Sequence, residues 1–174
     1  MAEQLAPLEA FQKYAALGPD FLTWMLVRVL ETDLPGPPSE LALKVDIHGP
    51  LLFASEGGEA RKVTLAGEEA ASAPEVHAAL RQGKRLVRAK LLFTAHEDTW
   101  AFTLDAETFD VKSAKLPVPT IADANQYIQM RIESLSRLYH LLDELYEQFL
   151  ALRLDPVAWK SEAARWKKIA KAPS

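Results

Sequence analysis

The sequence contains no cysteine, which excludes disulfides, thiolate metal sites and thiol nucleophiles. Histidine is scarce. The four present, His48, His77, His96 and His140, lie far apart, without the close spacing of a zinc site. Glycine numbers only seven, and the adjacent pair Gly57-Gly58 is not followed by the Gly-Lys-Ser/Thr of a phosphate loop. A hairpin turn is the expected reading of that pair. No G-x-S-x-G elbow occurs, so no serine nucleophile is marked. No apolar run is long enough to span a bilayer. The leading MAEQLAPLEA lacks the basic and apolar regions of a secretory leader, which predicts a cytoplasmic protein. Neither sign of charge dominates: 20 Lys and Arg against 24 Asp and Glu leave a net −4, which excludes an all-round cationic surface. Adjacent carboxylates at Glu68-Glu69, Glu97-Asp98 and Asp143-Glu144 fall in expected turns or on a polar helix face, so they read as solvated charge. No metal or cofactor is expected, and no catalytic residue is assigned.

What is present is a sheet-forming tract. The chain has 174 residues, 49% of them hydrophobic, which suits one domain with a real core. From Lys84 to Leu116 apolar residues alternate with polar ones, the period of a strand with one buried face. Val87, Ala89, Leu91 and Phe93 share one parity; Arg88, Lys90 and Thr94 share the other. Trp100, Phe102 and Leu104 mark a second strand, and Phe109 and Val111 a third, with Asp110 and Lys112 outward. Turn residues around Glu97-Asp98 and Asp105-Thr108 separate them. Leu41, Leu43, Val45 and Ile47 alternate in an earlier strand, continued by Leu51–Ala54, and Arg61, Val63 and Leu65 in another. A mostly antiparallel sheet of about five strands results.

Helices should cover it. Leu5, Leu8, Phe11, Tyr14 and Ala15 have near-helical spacing over residues 3–17. Asp20 is placed to cap a second helix that is apolar almost all round. Ser72 with Glu75 has the spacing of a capping box for a helix over 72–82, closed by Gly83. Ile128, Ile132, Leu135, Tyr139, Leu142, Tyr146 and Phe149 follow a heptad seam along a helix over 123–152. Asp155-Pro156 opens a last helix carrying Trp159 and Trp166 seven residues apart. The expected fold class is α+β, one domain over 1–174. Its parts are N-terminal helices (1–33), a sheet with an inserted helix (40–116), the long helix and a C-terminal helix (155–171).

Basic residues carry the functional signal. Arg81, Lys84, Arg85, Arg88 and Lys90 occur with no acidic residue among them, and Lys112 has the outward parity of its strand. Lysines and arginines on one sheet face would meet phosphates at spacings set by the strands, without reading bases. The last helix adds Lys160, Arg165, Lys167, Lys168 and Lys171 against Glu162. The alternative is that these are solubilising charges, several of them suited to helix C-termini.

The order GPDFLTWMLVR, VTLAGEEAASAPEVHAALRQGKRLVRAKLLF, WAFTLDAETFDVKSAKLP and LYHLLDELYEQFLALRL resembles the recombination-associated RdgC proteins. The likeness covers roughly residues 18–152 and is to the C-terminal part of the longer members, so the chain is expected to be a short form. The resemblance implies a homodimer that binds double-stranded DNA without strong sequence preference and acts in recombination or nucleoid organisation. The expectation is therefore a non-enzymatic DNA-binding protein with the six basic residues as phosphate contacts. The heptad seam would supply core and subunit interface. The alternative is a protein-interaction module that uses the long helix or the Trp159/Trp166 helix; a third, weaker one is a nuclease accessory subunit.

Overall fold

In the structure, a computed structural model, residues 13–55 and 63–172 are described. The expected first-helix residues Leu5, Leu8 and Phe11, the Glu56–Glu59 turn and Arg61 lie outside them. Tyr14 precedes a single 3-10 turn, Ala15–Leu17. Helix α1 (Gly18–Leu30) leads into strand β1 (Lys44–Ala54), β2 (Val63–Leu65), α2 (Pro74–Arg81), β3 (Arg85–Ala95), β4 (Asp98–Asp105), β5 (Asp110–Lys115), α3 (Ala124–Arg153) and α4 (Pro156–Lys171). The five strands form one antiparallel sheet in the order β2-β1-β3-β4-β5, giving the α+β architecture.

Helix starts follow proline more closely than the capping residues anticipated from sequence. Asp20 is not the cap of α1: the helix begins at Gly18 with Leu17 before it, and Asp20 sits in the first turn. Pro19 explains the shift, because its fixed φ favours the first helical positions. Ser72 likewise is not the cap of α2. Pro74 holds the preceding Ala73 extended, at ψ 145, so Ala73 takes the cap position. The Ser72 hydroxyl donates instead to the Glu69 carbonyl. Asp155 does cap α4, accepting from the Val157 and Ala158 amides. Asp123 caps α3 through the Gln126 amide.

One face of the sheet makes the core. Val45 and Ile47 of β1, Ala89, Leu91 and Phe93 of β3, and Trp100, Phe102 and Leu104 of β4 are buried together. Helix α1 lies over β3 and β1, buried along most of its length, as its all-round apolar sequence requires. The C-terminal half of α3 completes the layer through Leu138, Leu142, Leu145, Tyr146 and Phe149. Phe21, Trp24, Phe109, Tyr146 and Phe149 form an aromatic cluster; Phe21 meets Tyr146 edge-on at 4.9 Å. The Tyr146 hydroxyl donates to the Tyr14 carbonyl at 2.6 Å. Phe109 was expected inside the third strand. It precedes β5 with a left-handed φ of 61, and its ring joins this cluster.

A bulge near the start of β3 has wider consequences. The pairing with β1 slips between Leu52–Arg88 and Phe53–Leu86. The Leu86 amide bonds the Thr23 hydroxyl of α1 (2.8 Å), and that hydroxyl donates to the Pro19 carbonyl. The Val87 carbonyl accepts from the Ala106 amide. These two backbone groups at the slip thus find partners, as burial demands.

Candidate nucleic-acid interface

Register pairing places residues directly opposite one another on the same face. One row across the second face of the sheet is therefore His48, Lys90, Thr103 and Lys112, from β1, β3, β4 and β5. A neighbouring row is Leu52, Arg88, Asp105 and Asp110; another is Asp46, Leu92, Ala101 and Lys115; a fourth is Lys44, Thr94 and Thr99. Most of these side chains are exposed or half-buried, so this face is open to solvent. Lys112 and Lys115 are three apart and would point oppositely on a regular strand. The extra residue between them, Ser113 at φ 53, brings both to the open face.

Charge on this face is partly matched. Arg88 donates to Asp105 at 3.0 Å, and Lys44 lies 3.5 Å from Asp46. Burial by itself would raise the Asp105 carboxyl, but the Arg88 guanidinium and the Glu107 amide hold it below the usual carboxylate range. Lys90, Lys112 and Lys115 have no carboxylate within ion-pair reach among the described residues. Two strand spacings separate Lys90 from Lys112, about 10 Å.

The other three predicted contacts are elsewhere. Arg85 lies three residues before Arg88, on the opposite parity of a regular strand, and the β3 bulge resets that alternation, so that Leu86 turns inward opposite Phe53 and Arg85 pairs with Ala54. Arg85 instead donates to Asp20 (2.8 Å) and to the Gly83 and Lys84 carbonyls, with its guanidinium 5.1 Å from the Trp166 ring centroid. Lys84 is buried, at 6% exposure. Arg81 donates to the Ala170 carbonyl at the end of α4 (3.0 Å), beside His77, whose ring meets the Ile169 carbonyl. The run of basic residues thus divides: Arg88, Lys90 and Lys112 stand on the open sheet face, Arg81 and Arg85 hold the α2–β3 corner beside α4, and Lys84 is buried in that corner.

That corner borders a second cationic feature. A cleft of about 500 Å³ between the α2–β3 turn and α4 is rimmed by Arg81, Arg85, Lys167 and Lys171. Trp159 and Trp166 line it and meet edge-on at 5.1 Å. Arg153 stacks on Trp159 at 4.7 Å and reaches Asp20, which also holds Arg85. The tryptophan stripe of α4 is therefore docked onto the chain itself. Helix α4 is further clamped by Arg28, whose Nε and Nη2 donate to Glu162 at 3.1 and 2.8 Å, and by Arg165, which pairs with Asp33.

The heptad seam also divides. Leu142, Tyr146 and Phe149 are fully buried in the chain's own core and offer nothing to a second subunit. Leu135 and Tyr139 are half-buried, while Ile128 and Ile132 are 54% and 51% exposed. The period of three and four reads the same along the whole helix, but its buried residues all lie between Leu138 and Leu150. Among the described residues no three His, Asp or Glu side chains are grouped to hold a metal ion, and no helix is long and apolar enough to cross a membrane.

Lys115 and the cleft were not legible in the sequence. The first needed the Ser113 bulge; the second needed α4 to fold back on α2. Comparison of the chain with protein-family models, curated proteins and solved structures finds no match.

Proposed function

We propose that the chain is a non-enzymatic DNA-binding protein that grips duplex phosphates without reading bases, acts in recombination or nucleoid organisation in the cytoplasm, and works as a homodimer. One observation carries this reading. Lys90, Lys112 and Lys115, together with His48, stand on the solvent face of the sheet, and among the described residues no carboxylate is paired to the lysines. The resemblance of residues 18–152 to the RdgC proteins points the same way. Arg88 adds less than its position implies, because Asp105 already balances its charge. Arg81, Lys84 and Arg85 are withdrawn from this surface by their contacts within the chain.

The test is an anisotropy titration with a short duplex at two salt concentrations. Three lysine–phosphate contacts weaken binding about fortyfold between about 50 and 200 mM salt, from a slope of about −0.9 per contact. Lys90→Glu with Lys112→Glu abolishes binding while leaving the melting temperature unchanged, since neither side chain serves the core. Absence of binding at low salt overturns the reading. Binding by the double variant at wild-type strength removes the sheet face from it.

A second reading, a protein-assembly module, has its own observation: the first turns of α3 carry Ile128 and Ile132 exposed to solvent. Molar mass in solution, measured for the chain and for Ile128→Ser with Ile132→Ser, decides whether that segment joins two copies.

A further inference from the structure

The cleft between the α2–β3 turn and α4 is not used by the sheet-face proposal, and its chemistry differs. The four rim residues Arg81, Arg85, Lys167 and Lys171 are all cationic, and among the described residues no carboxylate lines the cleft. Part of that charge has an internal task. Arg81 closes the end of α4 through the Ala170 carbonyl, and Arg85 is held by Asp20. Lys167 and Lys171 are exposed, with no ion pair among the described residues. Below the rim the lining is apolar, built from the two indoles together with Leu80, Ala163 and Ala170. The indole nitrogen of Trp166 is buried without a hydrogen-bond partner.

From this geometry we infer that the cleft is a docking site for an acidic peptide segment with a large apolar anchor residue. The anchor enters the apolar floor, as anchors do in interface pockets of this size. Neighbouring aspartates or glutamates meet the lysine and arginine rim. Two other occupants fit less well. Nucleic acid would use the rim, but it needs free aromatic faces for its bases. Here Arg85 lies over Trp166, Arg153 lies over Trp159, and the indoles meet edge-on at 80°. A lone phosphate would use the rim and leave the floor bare.

The probe is a fluorescein-labelled octapeptide with four aspartates followed by leucine and phenylalanine, titrated by anisotropy against the full chain. Saturable binding in the micromolar range is expected. Replacing its aspartates with serine, or its apolar residues with alanine, weakens it about tenfold or more. Lys167→Glu with Lys171→Glu weakens the parent peptide similarly and leaves the thermal melt unchanged, while Lys90→Glu with Lys112→Glu binds it normally. The inference is overturned if the parent peptide fails to bind at about 100 µM, a level that only interactions weaker than useful docking would escape. It is equally overturned if either control peptide binds as well as the parent, or if the Lys167/Lys171 variant is unaffected. Displacement by a short duplex would assign the cleft to nucleic acid, and displacement by naphthyl phosphate at equal concentration would assign it to a small organic anion.

Discussion

The bidentate pair between Arg28 and Glu162 places a carboxylate out of reach of water, and Arg28→Met tests it. The Glu162 side chain is 4% exposed and that of Arg28 is 16% exposed, with a shortest approach of 2.8 Å. Removing the guanidinium leaves a carboxylate stranded beneath α4. Stranding one member of a buried pair costs about 3–5 kcal/mol. The lower end applies, because Arg28 is partly solvated and Arg165 lies near enough to interact with Glu162. Unfolding entropy of about 2.1 cal/mol/K per residue, over 174 residues, amounts to about 0.37 kcal/mol/K. A loss of about 3 kcal/mol therefore lowers the melting temperature by about 8 °C. Circular dichroism melts and urea titrations read this directly, with the urea slope unchanged because the same surface is exposed. Pairing Arg28→Met with Glu162→Leu restores most of the loss, since an apolar pair needs no compensation. A single variant melting within about 2 °C of the parent would refute the reasoning. So would a double variant no more stable than the single one.

Three further outcomes follow from the same geometry. Gly83 closes α2 with φ 75, and a Cβ there meets no atom within 4 Å, so Gly83→Ala should lose about 1 kcal/mol from backbone strain alone, read by urea titration. The Asp105 carboxyl is depressed despite its burial, because Arg88 and the Glu107 amide favour its charged form. Its contribution is present above the unfolded value near pH 4 and is lost as pH falls through the folded value, so Asp105→Asn should flatten the acid limb of a stability–pH curve. The two ends of the α3 seam should behave differently: Leu142→Ala loses about 3 kcal/mol by opening a cavity, while Ile132→Ser changes stability by no more than about 0.5 kcal/mol, as calorimetry can check.

The strands were readable because a half-buried strand shows its period locally. Val87, Ala89, Leu91 and Phe93 announce one face with no knowledge of what covers it. Asp155-Pro156 marked the start of α4 for the same reason: the cap and the first-turn proline act within a few residues. Local rules failed where two of them competed. At α2 the constraint that Pro74 places on Ala73 prevailed over the capping box at Ser72. At Arg85 the period of two alone sets the side chain on the face opposite Arg88, and the slip in pairing with β1, which has no local signature, then turned Leu86 inward and left Arg85 held by Asp20. The basic run therefore looked like one surface and became two.

The sequence by itself determined an antiparallel sheet with one oily face, the helices that cover it, and a chain able to present lysines to an anion. Those properties depend on periods and caps that act over a few residues. Only the tertiary structure decided which cations remain available. Among the described residues Lys90, Lys112 and Lys115 are left without an acidic partner, while Arg85 and Arg88 are matched by Asp20 and Asp105, residues 65 and 17 positions away. It also decided that half of one uniform heptad seam is core and half is surface. The physical reason is that charge neutralisation and burial depend on what the fold brings alongside, and a strand or helix cannot specify its neighbours alone.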